Sequence, residues 1–259
     1  MRWKPWARWG SVGVVASLGL YACVVEPRWA EVTYPAVHVL GTAPLRVLHL
    51  TDLHGRSPGS LEEQVLAAVE TEKPDLIVLT GDTCDHGTFA AYRGFLERLH
   101  APLGVFAVQG NWEHWSPAAD EVATYQAAKI TLLVNESRRL RDDLWIVGFD
   151  DATGGTPDVA RALQGVPAGV ATIGLMHSPE LFDRVAGRLS IAFAGHTHGG
   201  QVRAPLFGPL WLPQGCGRYV AGAYEEGGSS LYVSRGLGTS VLPVRFLCRP
   251  EIAVVDVSP

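Results

Sequence analysis

Leu45-Arg46-Val47-Leu48-His49-Leu50-Thr51-Asp52-Leu53-His54 is a strand-like apolar run that breaks into two polar side chains two positions apart. The same pattern recurs along the chain. Leu76–Leu79 leads to Gly81-Asp82, Val105–Val108 to Gly110-Asn111, Val170–Leu175 to Met176-His177, and Ser190–Ala194 to Gly195-His196-Thr197-His198. Short β-branched or aliphatic runs bounded by glycine read as strands. Leu144–Val147, Leu231–Val233 and Ile252–Val255 extend the series. Amphipathic stretches alternate with them at Leu61–Lys73, Phe89–His100, Ala118–Lys129 and Pro179–Val185. Ser60 with Glu63 predicts a capping box for the first of these, and Ser178-Pro179 an N-cap followed by proline. The alternation predicts an α/β sandwich. Residues 199–230, rich in glycine and proline, predict a long loop or β-hairpin insertion.

Ligands of α/β sheets bind beyond the carboxyl ends of the strands. Five strand exits therefore bring Asp52, His54, Asp82, Asn111, His177, His196 and His198 to one edge. The two-residue spacing of Asp52/His54 and His196/His198 lets each pair project to one side of an extended segment. A lone aspartate after a strand is usually a helix cap, and a lone histidine usually structural. Five such exits together point instead to a metal centre. Nitrogen and oxygen ligands without thiolate suit two hard or borderline divalent ions, and ions about 3.5–4 Å apart can clamp a phosphoryl group.

The remaining sequence frames that reading. The 259 residues include 47% hydrophobic and 18% charged side chains, enough for a sizeable core. The net charge of −5, with no long basic run, argues against a nucleic-acid polymer as partner. Residues 1–9 carry Arg2, Lys4 and Arg8 among Trp3, Trp6 and Trp9, and Gly10 to Val25 is free of charge. That run spans roughly 24 Å as a helix, so it reads as a short membrane helix or the apolar core of a signal sequence. The preceding positive charges predict a cytoplasmic N-terminus and a catalytic domain outside, on a bacterial inner membrane. Leu20-Tyr21-Ala22-Cys23 loosely resembles a lipoprotein box. The expected organisation is an anchor or signal segment over 1–25, a linker or first strand over 26–44, and one domain over 45–259. Cys216 and Cys248 are either a disulfide or isolated buried thiols.

The ordered motifs D-x-H, GD, GN, H and GHxH resemble the calcineurin-like metallophosphoesterase superfamily, over about Leu45 to Val257. His196-Thr197-His198-Gly199-Gly200-Gln201, Ser234-Arg235-Gly236-Leu237-Gly238 and Pro243-Val244-Arg245-Phe246 resemble its membrane-anchored bacterial YkuE-like branch. The resemblance implies a four-layer αββα sandwich with two mixed sheets. It implies Asp52, His54 and His198 on one metal, Asn111, His177 and His196 on a second, and Asp82 bridging them. It also implies a bridging hydroxide as nucleophile and manganese, iron or zinc as the metals. In the family a histidine usually follows the GN asparagine and protonates the leaving group. Here Asn111 is followed by Trp112-Glu113-His114-Trp115, leaving His114 as the candidate acid and Trp112 as a candidate substrate contact. Arg235 and Arg245 are candidate phosphate ligands. The expected activity is hydrolysis of a phosphodiester or phosphoanhydride at the membrane, on a phosphorylated small molecule or lipid. The alternatives are a UDP-2,3-diacylglucosamine pyrophosphatase and a non-catalytic metal-binding module.

Overall fold

The computed structural model describes residues 5–39, 41–85 and 89–258, and no side-chain description extends to 5–12 or His38. Arg2, Trp3 and Lys4 lie outside the described residues, as does His86, and the side chains of Trp6, Arg8 and Trp9 are likewise not described. The first sheet holds β1 (Glu31–Thr33), β2 (Ala36–His38), β3 (Leu45–Leu50), β4 (Leu76–Thr80), β5 (Val105–Val108) and β6 (Ile130–Leu132). The second holds β7 (Glu136–Arg141), β8 (Leu144–Gly148), β9 (Ala171–Leu175) and β10 (Ile191–Ala194). A small hairpin, β11 (Arg203–Ala204) and β12 (Gly208–Pro209), projects from the 199–230 region. Then β13 (Gly222–Glu226) and β14 (Ser229–Val233) complete the second sheet. The last strand, β15 (Glu251–Ser258), returns to the first, lying parallel to β1 and β2 and antiparallel to β3. Both sheets are mixed, as the resemblance implies.

Strand alternation sorts the core. One side of β3, β4 and β5 places Val47, Leu76, Val78, Phe106 and Val108 against Ile146, Ile173, Leu175 and Phe193 of the second sheet. The other side packs Leu48, Leu50, Ile77 and Leu79 under α2 (Ser60–Glu72) and α3 (Phe89–Leu96). Beyond them follow α4 (Asn111–Trp115) and α5 (Glu121–Ala127), whose Tyr125 joins the same layer. On the far face of the second sheet, Val147, Ala192 and Val233 pack against α6 (Val159–Ala162) and α7 (Phe182–Val185). The result is helix, sheet, sheet, helix.

Several expectations need correction. The helix predicted from Leu61 starts at Ser60, and Glu62 rather than Glu63 accepts the N–H of Gly59 at 2.6 Å. Of the two readings of 26–44, linker or first strand, the structure has strands, β1 and β2 pairing with β15. The expected membrane helix is also not met. The N-terminal helix, α1 (Pro5–Leu20), passes into a π turn over Tyr21–Val25 and a 3-10 turn over Glu26–Arg28, where Pro27 enters. Among the described residues no helix is long and apolar enough to cross a membrane. The end of this segment docks on the domain: Ala22 O accepts the N–H of Arg245 at 3.0 Å, and the buried Glu26 carboxylate accepts the N–H groups of Leu247 and Cys248. Cys216 and Cys248 are free buried thiols with no disulfide.

Candidate metal centre

The loops after β3 and β4 run side by side, since the N–H groups of Asp52, His54 and Gly55 donate to the carbonyls of Gly81, Asp82 and Thr83 at 3.0–3.1 Å. That pairing fixes the exits of two strands against one another. The side chains do not then reach the centre by strand alternation, as the two-residue spacing predicts. Asp52, His54, Asp82, His196 and His198 all sit in the left-handed region, at φ between 47° and 70°. A non-glycine residue there costs about 1–3 kcal/mol, so the turns are held by their surroundings. Glycine is required beside them: a Cβ on Gly195 would meet Thr51 Oγ1 at 2.0 Å and Asp52 Oδ2 at 2.4 Å.

All seven predicted residues converge, and all are buried. Asp52, His54 and His198 bring one ligand atom each to within 4.8 Å of one another, and Asp82, His177 and His196 do the same. One oxygen of Asp82 serves both groups, lying 3.6 Å from His54 Nε2 and 3.3 Å from His177 Nε2. Asn111 Oδ1 lies 3.1 Å from His177 Nε2.

The outer face of each imidazole decides what the inner face can be. His177 Nδ1 donates to Thr80 O at 2.7 Å, and His196 Nε2 donates to Gln214 O at 2.6 Å. His54 Nδ1 donates to Asp85 Oδ1 at 2.8 Å. The remaining nitrogens of His54, His177 and His196 point inward, where His177 Nε2 and His196 Nδ1 are only 3.1 Å apart, as are His54 Nε2 and His198 Nε2. Two ring nitrogens at that distance repel unless a proton or a metal ion lies between them. The donor set thus fits two divalent ions, with the outer hydrogen bonds fixing the metal-binding tautomer. The charges around the two rings differ. Burial opposes a charge on His177, yet contact with Asp82 raises its pKa well above the usual histidine value. His198 is held well below it, by burial and then by His54.

Around this set stand Asp85, Glu113 and Thr51, which the motif reading passed over, and Trp112 and His114, which it named. Asp85 orients His54, and the only sequence signal is its place three residues after Asp82. Glu113 accepts the N–H groups of Asp82, Thr83 and Gly110, tying two strand exits together. Burial and then the Asp82 charge push its carboxyl up to about 7. Thr51 Oγ1 donates to Asp52 Oδ2 at 2.9 Å. Trp112 stands edge-on to the His54 ring at 5.6 Å, and its backbone N–H donates to Asp82 Oδ1. His114, one helical turn from Asn111, gives Nε2 to Asp150 Oδ1 at 2.7 Å.

Arg245 does not reach the site. It is fully buried, and its guanidinium donates to the carbonyls of Gly238, Cys248, Arg235 and Gly236. Every donor that could meet a phosphate is spent on the backbone. Arg235 is held by Glu31 at 2.9 Å and Glu251 at 3.5 Å, bracing β1 against β15. Cys84 sits in the core beside Tyr92, and burial raises its thiol far above the thiolate range needed of a ligand.

A two-sheet sandwich with a dinuclear-type histidine and carboxylate cluster at its strand exits defines a metal-dependent phosphoester hydrolase. Residues 45–200 match the family described as Calcineurin-like phosphoesterase, and the chain belongs to it. It is 30% identical to the uncharacterized metallophosphoesterase YkuE of Bacillus subtilis, covering 90% of this chain and 87% of that one. It is 31% identical to phosphodiesterase YaeI of Escherichia coli, with 91% of each covered. Among solved structures, a putative 5'-nucleotidase of Staphylococcus aureus shares the fold with a TM-score of 0.50 at 10% identity. The match covers 84% of this chain and 55% of that one.

Proposed function

We propose that the protein hydrolyses a phosphodiester or phosphoanhydride at a membrane surface, with Asp52, His54 and His198 holding one divalent ion, Asn111, His177 and His196 a second, and Asp82 bridging them. The two buried groups of inward-facing ligand atoms, Asp52/His54/His198 and Asp82/His177/His196, are the observation that carries this reading. Bound divalent ions supply Lewis acidity toward the phosphoryl oxygens and acidify water into a nucleophile near neutral pH. The chain's own residues do the positioning. Asp85, Thr80 O and Gln214 O hold the imidazoles in one tautomer, and Glu113 keeps the Asp82 loop in register. Trp112 covers the His54 side and offers no acidic proton. His114 turns its Nε2 to Asp150, whose hydrogen bond raises the imidazole pKa despite burial.

The membrane part of the proposal is supported by exposed apolar side chains on the N-terminal segment, including Val14, Val15, Leu18, Val24 and Val25. One relative, at 29% identity, is described as a transmembrane protein with metallophosphoesterase domain from Bos taurus, of which 59% is covered. The charge order before Gly10 supports an extracytoplasmic catalytic domain.

Elemental analysis of the purified full chain tests the centre. Two divalent ions per chain are expected, and Asp82→Ala should lose both together because it serves both groups. Hydrolysis of bis-p-nitrophenyl phosphate should vanish on chelation and return with manganese, iron or zinc. Full activity in metal-free protein would sink the reading.

A further inference from the structure

Two cavities open on the stacked His54–His198 pair and share one wall, Val241–Leu242. The cavity on the His54 side, about 470 Å³, includes Arg56, Ser57, Asp85 and Trp112. The one on the His198 side, about 290 Å³, is walled by Val202, Leu210, Trp211, Pro213 and the shared ridge. A polar and an apolar recess thus flank one ligand group.

The ridge is a built element. Gln201, three residues after His198, receives the Ser240 N–H on Oε1 at 2.9 Å, and its Nε2 donates to the carbonyls of Ser240 and Leu242 at 3.2 and 2.9 Å. Val241 is 83% exposed at φ 64°, a strained setting for a β-branched residue. The facing β11–β12 hairpin is tied back by Arg203 Nη1 to Gly199 O at 2.7 Å, and it displays Leu206 and Phe207 almost wholly to solvent. A contiguous exposed apolar rim marks an interaction site. The N-terminal segment docks nearby, with Ala22 O accepting the N–H of Arg245, three residues past Leu242.

We infer that the groove between Val241–Leu242 and Leu210–Trp211 takes the hydrocarbon chain of a phosphorylated amphiphile, with the phosphoryl group at the histidine cluster and the polar head in the Arg56 recess. This rests on the phosphoesterase reading above. Apolar walls starting at a ligand histidine suit a chain covalently joined to the scissile phosphate better than a separate partner. The rim tips would then face the lipid layer that delivers it.

The test is a series of p-nitrophenyl alkyl phosphodiesters, methyl to octyl, used below their micelle concentrations with the metal-loaded full chain. Transfer of each methylene from water into an apolar groove is favourable, so kcat/KM should rise at least tenfold from methyl to octyl, mainly through KM, on the order set by burying only part of the chain. The octyl-to-methyl ratio should fall below about threefold in Trp211→Ser/Leu242→Ser, where the walls are polar. A flat wild-type series with good turnover overturns the groove and leaves the phosphoesterase standing. So does a flat series with a dimer that dissociates in Leu206→Ser/Phe207→Ser, which would assign the rim to a second copy. If no ester turns over at any length, the phosphoesterase reading fails instead. Calorimetric binding of octyl phosphate against methyl phosphate then still decides the groove, equal affinities overturning it.

Discussion

Asp85 governs the centre from outside the ligand set. Its carboxylate takes the Nδ1 proton of His54, so Asp85→Ala frees that ring to rotate and change tautomer. Loss of such a partner typically costs 10–100-fold in metal affinity. We expect the folded Asp85→Ala protein to bind its weaker metal within that range below wild type, read by competition with a chelator. Trp112 makes a different prediction. With no acid beside His54, expulsion of a poor leaving group lacks the ~10²–10⁴-fold help of general acid catalysis. Aryl esters and anhydrides should therefore be favoured steeply over alkyl esters, less so in Trp112→His, and with little change in His114→Ala. Selective loss of poor leaving groups in His114→Ala would instead make that residue the acid. His49 titrates at the folding level. It is fully buried, donor or acceptor to Thr80 Oγ1 at 2.8 Å, and burial lowers its pKa to about 3. In the unfolded chain it protonates near 6.5, so its contribution is complete above that pH and is lost as pH falls toward 3. At pH 5 this amounts to about 2 kcal/mol. Denaturant titrations of His49→Gln should show a shallower acid slope between pH 6.5 and 4.

At the level of elements, strand exits were legible because short continuous apolar runs break into polar residues, four of the five through glycine or methionine. The outer partners of His177 and His196 were not, because they are backbone carbonyls, Thr80 O and Gln214 O, which leave no mark in side-chain identity. The left-handed φ of Asp52, His54, Asp82, His196 and His198 was equally hidden, since aspartate and histidine tolerate that region better than most side chains but seldom adopt it. The strand β7 carries Arg138, Arg139 and Arg141 on an exposed edge, so it has no apolar run to find. Arg245 shows the reverse error. Its chemistry suggested phosphate, but it is the hub of the loop that carries Leu242. Arg245→Ala should leave buried carbonyls unpaired and cost about 3 kcal/mol, seen as a lower Tm without a rise in KM of the folded fraction.

For the whole molecule, the N-terminal segment is joined to the domain and not merely attached. A chain cut to begin at Trp29 loses the Glu26 carboxylate under the Leu247 and Cys248 amides, and should be about 2 kcal/mol less stable than one beginning at Gly19. Comparative urea unfolding of the two would read the difference directly. The pairing of β15 has a consequence in time. Glu31 faces Glu251, Val37 faces Val257 on one side and Leu45 faces it on the other, so all three partners of this strand lie some two hundred positions earlier in the chain. Contacts so distant in sequence form slowly, because the intervening loop entropy must be lost first. Emerging from a ribosome or through a translocation pore, the first sheet waits with β1 and β3 unjoined, their amides open to water or to a neighbouring chain. Pulse-labelled hydrogen exchange should find the amides of Thr33, Val47 and Val255 gaining protection in one shared late phase.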